Sequence, residues 1–149
     1  MEEHAFEARV PVRDPTGVQA AAVLSCSVRY VDDGRTSTRE CRIALVGPGI
    51  TLDGTGEDFF EALCRVREQL EPSGRQLLCY GASLDVFPSG MTRDMGVGLR
   101  AYRLKMGVNS GPDDLVEILA TGPDILPATV KQQEAYYRRW LRPGAPHAV

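Results

Sequence analysis

The chain has 149 residues, of which 43% are hydrophobic and 25% are charged, and these fractions are typical of one globular domain rather than of a disordered segment. Its 17 basic and 20 acidic residues give a formal net charge of −3, which provides no basic surface for nucleic acid or for an anionic membrane. No apolar run reaches the roughly 18 residues that a membrane-spanning helix needs, and the acidic N-terminus lacks the features of a secretory signal. We therefore predict a single cytoplasmic domain, residues 1–149, that binds neither nucleic acid nor membrane.

The first half of the chain predicts three strands followed by a helix. Apolar and polar residues alternate over 6–12, a longer strand follows over 18–31, and a third strand covers 36–46. The turn over 32–35, Asp-Asp-Gly-Arg, is a hairpin signal between the second and third strands. Residues 50–52 are predicted to be only a short extended link.

The helix that follows is expected to begin with Thr55 as its N-cap. Spacings of 4, 3 and 4 residues place four apolar side chains on one face of this helix: Phe59, Leu63, Val66 and Leu70. The opposite side is predicted to face solvent and carries Arg65, Arg67, Glu68 and Glu71.

The second half predicts further strands around a long loop. Residues 75–80 predict a central strand, and 99–106 and 115–119 predict two more strands joined by a turn. Thr129 and Gln132 have the spacing of a capping box, so a last helix should run from there to about Leu141, before a tail predicted to be flexible from about residue 143.

This order of elements predicts an α+β fold. Because the strands cluster as hairpins, we expect an antiparallel or mixed sheet of five or six strands with two helices packed on one face.

The cysteines and histidines do not predict a metal site. The chain has four cysteines that form no Cys-x-x-Cys pair: Cys26, Cys41, Cys64 and Cys79. Each lies in an apolar or periodic segment, as buried free thiols do in a reducing compartment. The two histidines, His4 and His147, stand near the two ends of the chain. Since zinc sites use closely spaced pairs of ligands, we predict no metal and no cofactor.

The loop-rich stretch 79–105 is the candidate functional segment, because so long a connection is unusual inside a small domain. Its Gly96-Val97-Gly98 precedes a predicted strand, so it lacks the helix N-terminus that would hold a phosphate. The run from Gly81 to Asp85 lacks the final glycine of the hydrolase nucleophile turn, and no histidine is near it in sequence. No nucleophile with an adjacent base is evident, so non-catalytic binding is favoured over an enzyme.

Four polar residues of this loop are candidate contacts with a partner: Ser83, Asp85, Arg93 and Asp94. Arg93 and Asp94 are expected to pair with each other, with Asp85 or with the partner, because a guanidinium offers bidentate recognition. The structural alternative is that these side chains only satisfy the backbone of the loop. Met91 is expected to fill the core beneath the Ser89-Gly90 turn.

The last helix combines aromatic and basic side chains. Tyr136, Arg139 and Trp140 are candidate partner-binding residues, because Tyr, Arg and Trp are enriched in binding hot spots. The alternative is a docking helix whose aromatic residues belong to the core and whose arginines are solvated.

Two segments of the second half carry a resemblance to a known family. Residues 77–104 include Tyr-Gly-Ala-Ser and Pro-Ser-Gly-Met, and residues 123–141 run from Pro-Asp-Ile-Leu-Pro-Ala-Thr to Trp-Leu. Over about 59–141 the chain resembles a family of small, uncharacterised bacterial proteins. Some similar small acidic proteins look like companions of secreted toxins. The resemblance implies a shared backbone and an immunity-like role, rather than a particular chemistry.

Two classes of function therefore stay open. The first is a binding protein that neutralises a partner by direct contact, such as an immunity-like protein acting on a bacterial toxin, toward which an acidic surface would steer a basic partner. The alternative is a small-molecule-binding protein or an enzyme that uses the loop over 83–100. A deep pocket lined by the four loop residues would favour the alternative, and a flat acidic or aromatic patch would favour the first class.

Overall fold

The computed structural model describes residues 2–142, with side chains from residue 5 onward. The predicted tail and His147 lie outside the described residues, as does the side chain of His4. The elements in chain order are β1 (Glu2–Arg13), β2 (Gln19–Asp32), β3 (Ser37–Gly47), β4 (Ile50–Gly56), α1 (Phe59–Leu70), β5 (Gln76–Leu77), β6 (Val86–Phe87), α2 (Gly90–Met95), β7 (Arg100–Arg103), β8 (Leu115–Glu117) and α3 (Val130–Leu141).

Five strands form an antiparallel sheet in the order β4-β3-β2-β1-β5. Because side chains alternate along a strand, every second residue points to the same face. The inward face is apolar and contains Val10, Val12, Ala22, Leu24, Cys26, Val28, Cys41, Ile43 and Leu45, all of them buried. The three predicted strands of the first half are confirmed, and so is the hairpin between β2 and β3.

Helix α1 covers this inward face of the five-stranded sheet. The predicted apolar face of the helix is buried, including Leu63 and Val66 at its centre. The helix approaches β4 so closely that a Cβ on Gly54 would lie 2.7 Å from Arg65 Cβ and 2.8 Å from the Ala62 oxygen. Residues 50–56 pair with β3 throughout, so the prediction of a short link over 50–52 was wrong. The glycines of this segment weaken its local strand propensity, but pairing with β3 makes it a strand all the same.

Two details of α1 differ from the prediction. The N-cap is Asp58, whose Oδ1 accepts a hydrogen bond of 2.8 Å from the Glu61 amide, whereas Thr55 belongs to β4. Arg67, predicted to face solvent, is only 3% exposed. It is buried because α3 and the segment before it cover that side of α1.

A second antiparallel sheet has the strand order β6-β7-β8, and α3 packs beside β6 and α1. The predicted strand over 75–80 is not central, because only Gln76 and Leu77 pair, at the edge of the first sheet next to β1. The α+β prediction is confirmed, with the strands divided between two sheets and with α2 formed inside the predicted loop. None of the helices over residues 2–142 has both the length and the apolar character needed to cross a membrane.

Candidate functional site

Ser83 and Asp85 lie in the segment that precedes β6, and Ser83 joins this segment to Leu126 in the segment that precedes α3. Ser83 is 1% exposed, and its Oγ donates to Asp85 Oδ1 at 2.7 Å and accepts from the Leu126 amide at 2.9 Å. The Leu84 amide also donates to the Leu126 oxygen at 2.7 Å. These contacts correspond to the structural alternative, in which the loop side chains satisfy backbone groups.

Arg93 lies on α2 and pairs with Asp58, a residue that the prediction did not consider, rather than with Asp94 or Asp85. Its Nη1 donates to Asp58 Oδ2 at 3.1 Å. Its guanidinium carbon also lies 5.2 Å from the centroid of the Phe60 ring and 5.4 Å from that of Phe87. The ion pair with Asp58 and the contact with Phe60 fix α2 against the first turn of α1, and the contact with Phe87 fixes it against β6.

The side chain of Arg39, on β3, holds the end of α2 by hydrogen bonds to backbone oxygens of that helix. Its guanidinium donates to the carbonyl oxygens of Arg93 at 2.6 Å, Asp94 at 2.9 Å and Glu57 at 2.7 Å. The side chain of Asp94 remains exposed on α2. Of the four loop candidates, Asp94 is therefore the one whose side chain is most available to a partner.

The chain leaves α2 through a constrained turn. Val97 has a φ of 49°, which is unusual for a β-branched residue, and its oxygen accepts a hydrogen bond of 2.8 Å from the Phe59 amide. Gly98 has a φ of 71°, and a Cβ there would lie 2.8 Å from Asp58 Oδ1. Glycine at this position gives Asp58 the room to cap α1 and to pair with α2.

A buried polar network, which sequence reasoning missed, links α1, α3 and the segment 81–86. Gln133 is 1% exposed, and its Nε2 donates to the carbonyl oxygens of Gly81 at 2.9 Å and of Ser83 and Val86 at 2.8 Å. Its Oε1 accepts a hydrogen bond of 2.6 Å from Arg67 Nη1. The sequence contains one sign of this network: Gln133 lies on the apolar face of the last helix, and a buried polar group there needs hydrogen-bond partners.

The aromatic residues of α3 attach the helix to the loop after β7. Tyr136 donates its hydroxyl hydrogen to the Leu104 oxygen at 3.0 Å, and Trp140 Nε1 donates to the oxygens of Lys105 and Val108, both at 3.1 Å. Burial, together with the nearby carboxylate of Asp85, raises the pKa of Tyr136. These contacts make α3 a firmly docked element.

Tyr137 and Trp140 also form part of an aromatic wall. The Tyr137 ring stacks on Phe87 with centroids 3.9 Å apart and planes 10° apart. The Trp140 ring follows at 6.4 Å from Tyr137 with planes 19° apart. Tyr102 is paired with Phe87 across β6 and β7, so it stands beside this wall on the same face of the sheet.

The wall borders a solvent-open groove of about 370 Å³, which we call the aromatic groove. Among the residues that the structure describes, none with a charged side chain lines the groove; the lining consists of Phe87, Pro88, Ser89, Gly90, Tyr102, Leu104, Asn109, Ser110, Tyr137 and Trp140. Met91, which follows Gly90, is 70% exposed, so the prediction that it fills the core was wrong. Val108, whose carbonyl oxygen accepts from Trp140 Nε1, and Leu141, which follows Trp140 in the chain, are exposed apolar residues.

Some of the predicted contact residues lie at the aromatic groove, and others lie away from it. Trp140 lines the aromatic groove, whereas Ser83, Asp85, Arg93 and Asp94 do not. Arg139 is exposed but lies outside the lining, and Tyr136 lies beside the wall, where its hydroxyl is engaged with Leu104. Sequence reasoning missed Phe87 and Tyr102 as groove residues, since they lie on β6 and β7, which are distant in sequence from the aromatic residues of α3.

A polar cluster on the surface ties the 120–124 segment to the second sheet. Tyr80 donates its hydroxyl hydrogen to Asp124 Oδ1 at 2.7 Å, and Arg103 Nη1 lies 2.7 Å from Asp124 Oδ2. The Tyr80 hydrogen bond lowers the pKa of Asp124 and raises that of Tyr80. These partners satisfy one another, as in a structural cluster.

Comparison with known protein families and with curated proteins finds no match for this chain. The resemblance of the second half to a bacterial family therefore stays a prediction. The function of the aromatic groove has to be inferred from its own geometry.

Proposed function

We propose that this chain is a binding protein that accepts a segment of a partner protein in the aromatic groove. The observation that carries the proposal is the continuous wall of Phe87, Tyr137 and Trp140, open to solvent and free of charge. Aromatic side chains bury large areas at little cost in side-chain entropy and dominate binding hot spots. A groove of about 370 Å³ is within the size range of sites that enclose a small ligand or a few side chains.

Three residues that adjoin lining residues in the chain, Met91, Val108 and Leu141, are exposed and apolar. Met91 is 70% exposed, and Met95 on the same short helix is 79% exposed. Methionine side chains adapt readily to the shape of a partner, and apolar side chains clustered around a cleft are typical of contact surfaces.

The groove is preorganised by contacts that a partner does not need to form. Trp140 is oriented by two carbonyl acceptors, and α2 is held by the Asp58–Arg93 pair and by Arg39. Because these side chains are already ordered, binding would cost little additional conformational entropy.

The finer part of the proposal is that the partner is a bacterial toxin and that the chain acts in the cytoplasm as an immunity-like protein. Its support comes from the resemblance over residues 59–141 and from the net charge of −3, which favours the approach of a basic partner. The groove itself supports only contact with a partner.

The test begins with the protein that co-purifies with this chain from its native host. That protein is identified, purified separately and titrated by calorimetry against wild type, Tyr137→Ala and Met91→Asp. We expect each change to weaken binding by at least about tenfold, as for hot-spot residues. Lys131→Ala is the matched control, because Lys131 is exposed on α3 outside the groove, and it should change binding by less than about twofold.

If Tyr137→Ala folds poorly, Met91→Asp still tests the proposal, because substitution of an exposed side chain has little effect on stability. Unchanged affinity in both folded variants would exclude the groove as the interface. Turnover of a small molecule by wild type, lost in Ser83→Ala or Asp85→Ala, would instead favour the alternative function in the 83–100 segment.

A further inference from the structure

We infer that the free edge of β1 over residues 5–9, which we call the β1 edge, binds an extended segment of a partner protein as an additional antiparallel strand of the five-stranded sheet. In this mode of recognition, backbone hydrogen bonds hold the segment and alternate side chains give specificity. The β1 edge is separate from the aromatic groove, which is built from β6, β7, α3 and the segments that adjoin them.

The hydrogen bonds of β1 show which of its backbone groups are unpaired. The Pro11 oxygen accepts from the Leu78 amide at 2.9 Å, so Pro11 directs its backbone toward β5. Because alternate residues of an antiparallel ladder bond to opposite sides, Ala5, Glu7 and Arg9 direct their N–H and C=O groups to the same side as Pro11. β5 pairs only with the last two residues of β1, and within residues 2–142 no hydrogen bond reaches the backbone of these three residues from that side.

The opposite edge of the sheet, β4, is covered. By the same alternation Asp53 directs its backbone away from β3, and its oxygen accepts a hydrogen bond of 2.6 Å from Gln69 Nε2 on α1. Covering an edge strand is a common protection against the addition of a further strand. In the part of the chain that the structure describes, the β1 edge has no such cover, so it can accept a strand.

A groove of about 260 Å³ separates the β1 edge from the segment that follows β8. Apart from Glu117, its lining in the described part of the chain is apolar and consists of Phe6, Ala8, Leu99, Glu117, Leu119 and Ala120. A strand added to β1 would direct every second side chain over this groove. These side chains of the partner segment should therefore be apolar.

The outward side chains of the β1 edge determine the charges of the partner segment. Glu7 and Arg9 are exposed on the solvent face of the sheet, and neither forms an ion pair within residues 5–142. Opposite charges directly across two strands stabilise their pairing, and like charges destabilise it. The partner segment should therefore carry a basic residue opposite Glu7 and an acidic residue opposite Arg9.

The same charges disfavour a second copy of β1 as the occupant. Two β1 edges related by a two-fold axis present the same residues to each other. They pair over the whole of 5–9 only when Glu7 lies directly opposite the Glu7 of the copy, which is a like-charge pair. A shift of the copy toward the C-terminal end of β1 would bring it against Leu78, which already bonds Pro11. A partner segment of complementary charge avoids both conflicts.

The experiment uses the full chain and a capped hexapeptide, Glu-Val-Lys-Val-Thr-Val. Antiparallel to β1, this peptide places its glutamate opposite Arg9 and its lysine opposite Glu7. Hydrogen exchange followed by NMR should show that the amides of Ala5, Glu7 and Arg9 exchange at least about tenfold faster in the free protein than those of Ala8 and Val10, which face β2. Saturation with the peptide should slow the exchange of the three edge amides by at least about tenfold.

Two N-methylated forms of the peptide separate strand pairing from simple contact with the groove. The glutamate, lysine and threonine amides of the peptide point to β1, so their methylation should abolish binding. The valine amides point away from β1, and their methylation should change the affinity by less than about threefold. Equal affinities of the two methylated forms would overturn the pairing of backbones.

Substitutions in the protein test the same edge. Glu7→Pro removes an amide hydrogen that points to the edge and leaves the bonds with β2 in place, as Pro11 does two positions of the same alternation further on. It should weaken peptide binding by at least about tenfold, whereas Glu7→Thr keeps the amide and should weaken it by less than about fivefold. Tyr137→Ala, in the aromatic groove, should leave peptide binding unchanged.

Three results would overturn the inference. Slow exchange of the Ala5, Glu7 and Arg9 amides in the free monomer would mean that the edge is already occupied. Slow exchange that appears only as dimers form with increasing protein concentration would make a second copy the occupant. Peptide binding that is lost in Tyr137→Ala but kept in Glu7→Pro would place the peptide in the aromatic groove. The proposed function is tested with the co-purified partner and Tyr137→Ala, so either proposal can fail while the other stands.

Discussion

At the residue scale, the buried carboxylate of Asp58 holds α1 and α2 together. Its Oδ1 caps α1 through the Glu61 amide, and its Oδ2 pairs with Arg93 on α2. A buried carboxylate is stable only when its oxygens are bonded, and both oxygens of Asp58 are. The position of α2, and thus of Met91, therefore depends on this residue.

We predict that Asp58→Ala lowers the free energy of unfolding by about 1–3 kcal/mol, since it removes an N-cap and the partner of Arg93. Urea denaturation followed by circular dichroism measures the change. Asp53→Ala is the control, because Asp53 pairs with Arg42 in an exposed ion pair, and it should cost less than about 1 kcal/mol. Equal losses in the two variants would mean that the capping and pairing of Asp58 add nothing.

The cysteine thiols give a second residue-scale prediction. Burial raises the pKa of Cys26 to about 12, with a contribution from nearby Cys41, and burial raises the pKa values of Cys41 and Cys79 to about 11, from 9.0. The folded protein therefore keeps protons that the unfolded chain releases above pH 9.0. Stability from these groups is complete below that pH and is lost as the pH rises toward 11–12.

The urea concentration at which half of the protein is unfolded should accordingly decrease as the pH is raised from about 8 to about 10. The urea midpoint of Cys79→Ala should decrease less over this pH range than that of wild type. This comparison separates the effect of thiol ionisation on stability from the effect of tyrosine ionisation. A wild-type midpoint that is constant over this range would show that the thiols titrate as freely in the folded protein as in the unfolded chain.

At the scale of elements, the contact between α1 and β4 determines how the first sheet is covered. Gly54 allows the helix backbone to approach the strand, since a Cβ there would lie 2.9 Å from the Val66 amide nitrogen. Backbone atoms of a helix cannot move away as a flexible side chain can, so this contact tolerates only glycine.

Gly54→Ala should therefore destabilise the protein by about 1–3 kcal/mol through overpacking. The matched control is Gly111→Ala, because a Cβ on Gly111 would meet no atom within 4 Å, and its effect should stay within about 0.5 kcal/mol. Thermal unfolding of both variants measures the difference. If Gly54→Ala unfolded at the wild-type temperature, the close packing of α1 on β4 would be wrong.

At the scale of the whole molecule, Gln133 and Arg67 connect the two halves of the fold. Arg67 Nη2 donates to the Ala128 oxygen at 2.8 Å, and Gln133 bonds three carbonyl oxygens of the segment that leads into β6. The network thereby fixes α3 over the second sheet and positions the aromatic wall. Its buried groups have partners, so it holds the arrangement without an uncompensated polar atom.

Gln133→Ala should cost about 2–4 kcal/mol, because it removes the oxygen that accepts from Arg67 Nη1 and the amide group that donates to three buried carbonyl oxygens. Gln69→Ala is the matched control, since Gln69 is an exposed helical glutamine bonded to Asp53 and Arg65, and it should cost less than about 1 kcal/mol. Chemical denaturation compares the two. Equal costs would show that the network contributes nothing beyond ordinary surface hydrogen bonds.

The sequence by itself determined the elements whose signals are local. Alternation and a turn of Asp and Gly residues specify β2 and β3, and Thr129 with Gln132 specifies the start of α3 through a capping box that the structure contains. The buried face of α1 follows from its periodicity for the same reason.

Only the tertiary structure decided which distant residues meet. Arg67 carries the sequence signature of a solvated residue, yet it is buried because α3 covers it. Phe87 of β6 and Tyr137 of α3 stack in one wall although no spacing relates them, and Arg93 pairs with Asp58 rather than with its neighbour Asp94. Periodicity depends on residues that are close together in the sequence. The groove forms where three separate segments pack together, and their contacts are determined by the shape of the whole core.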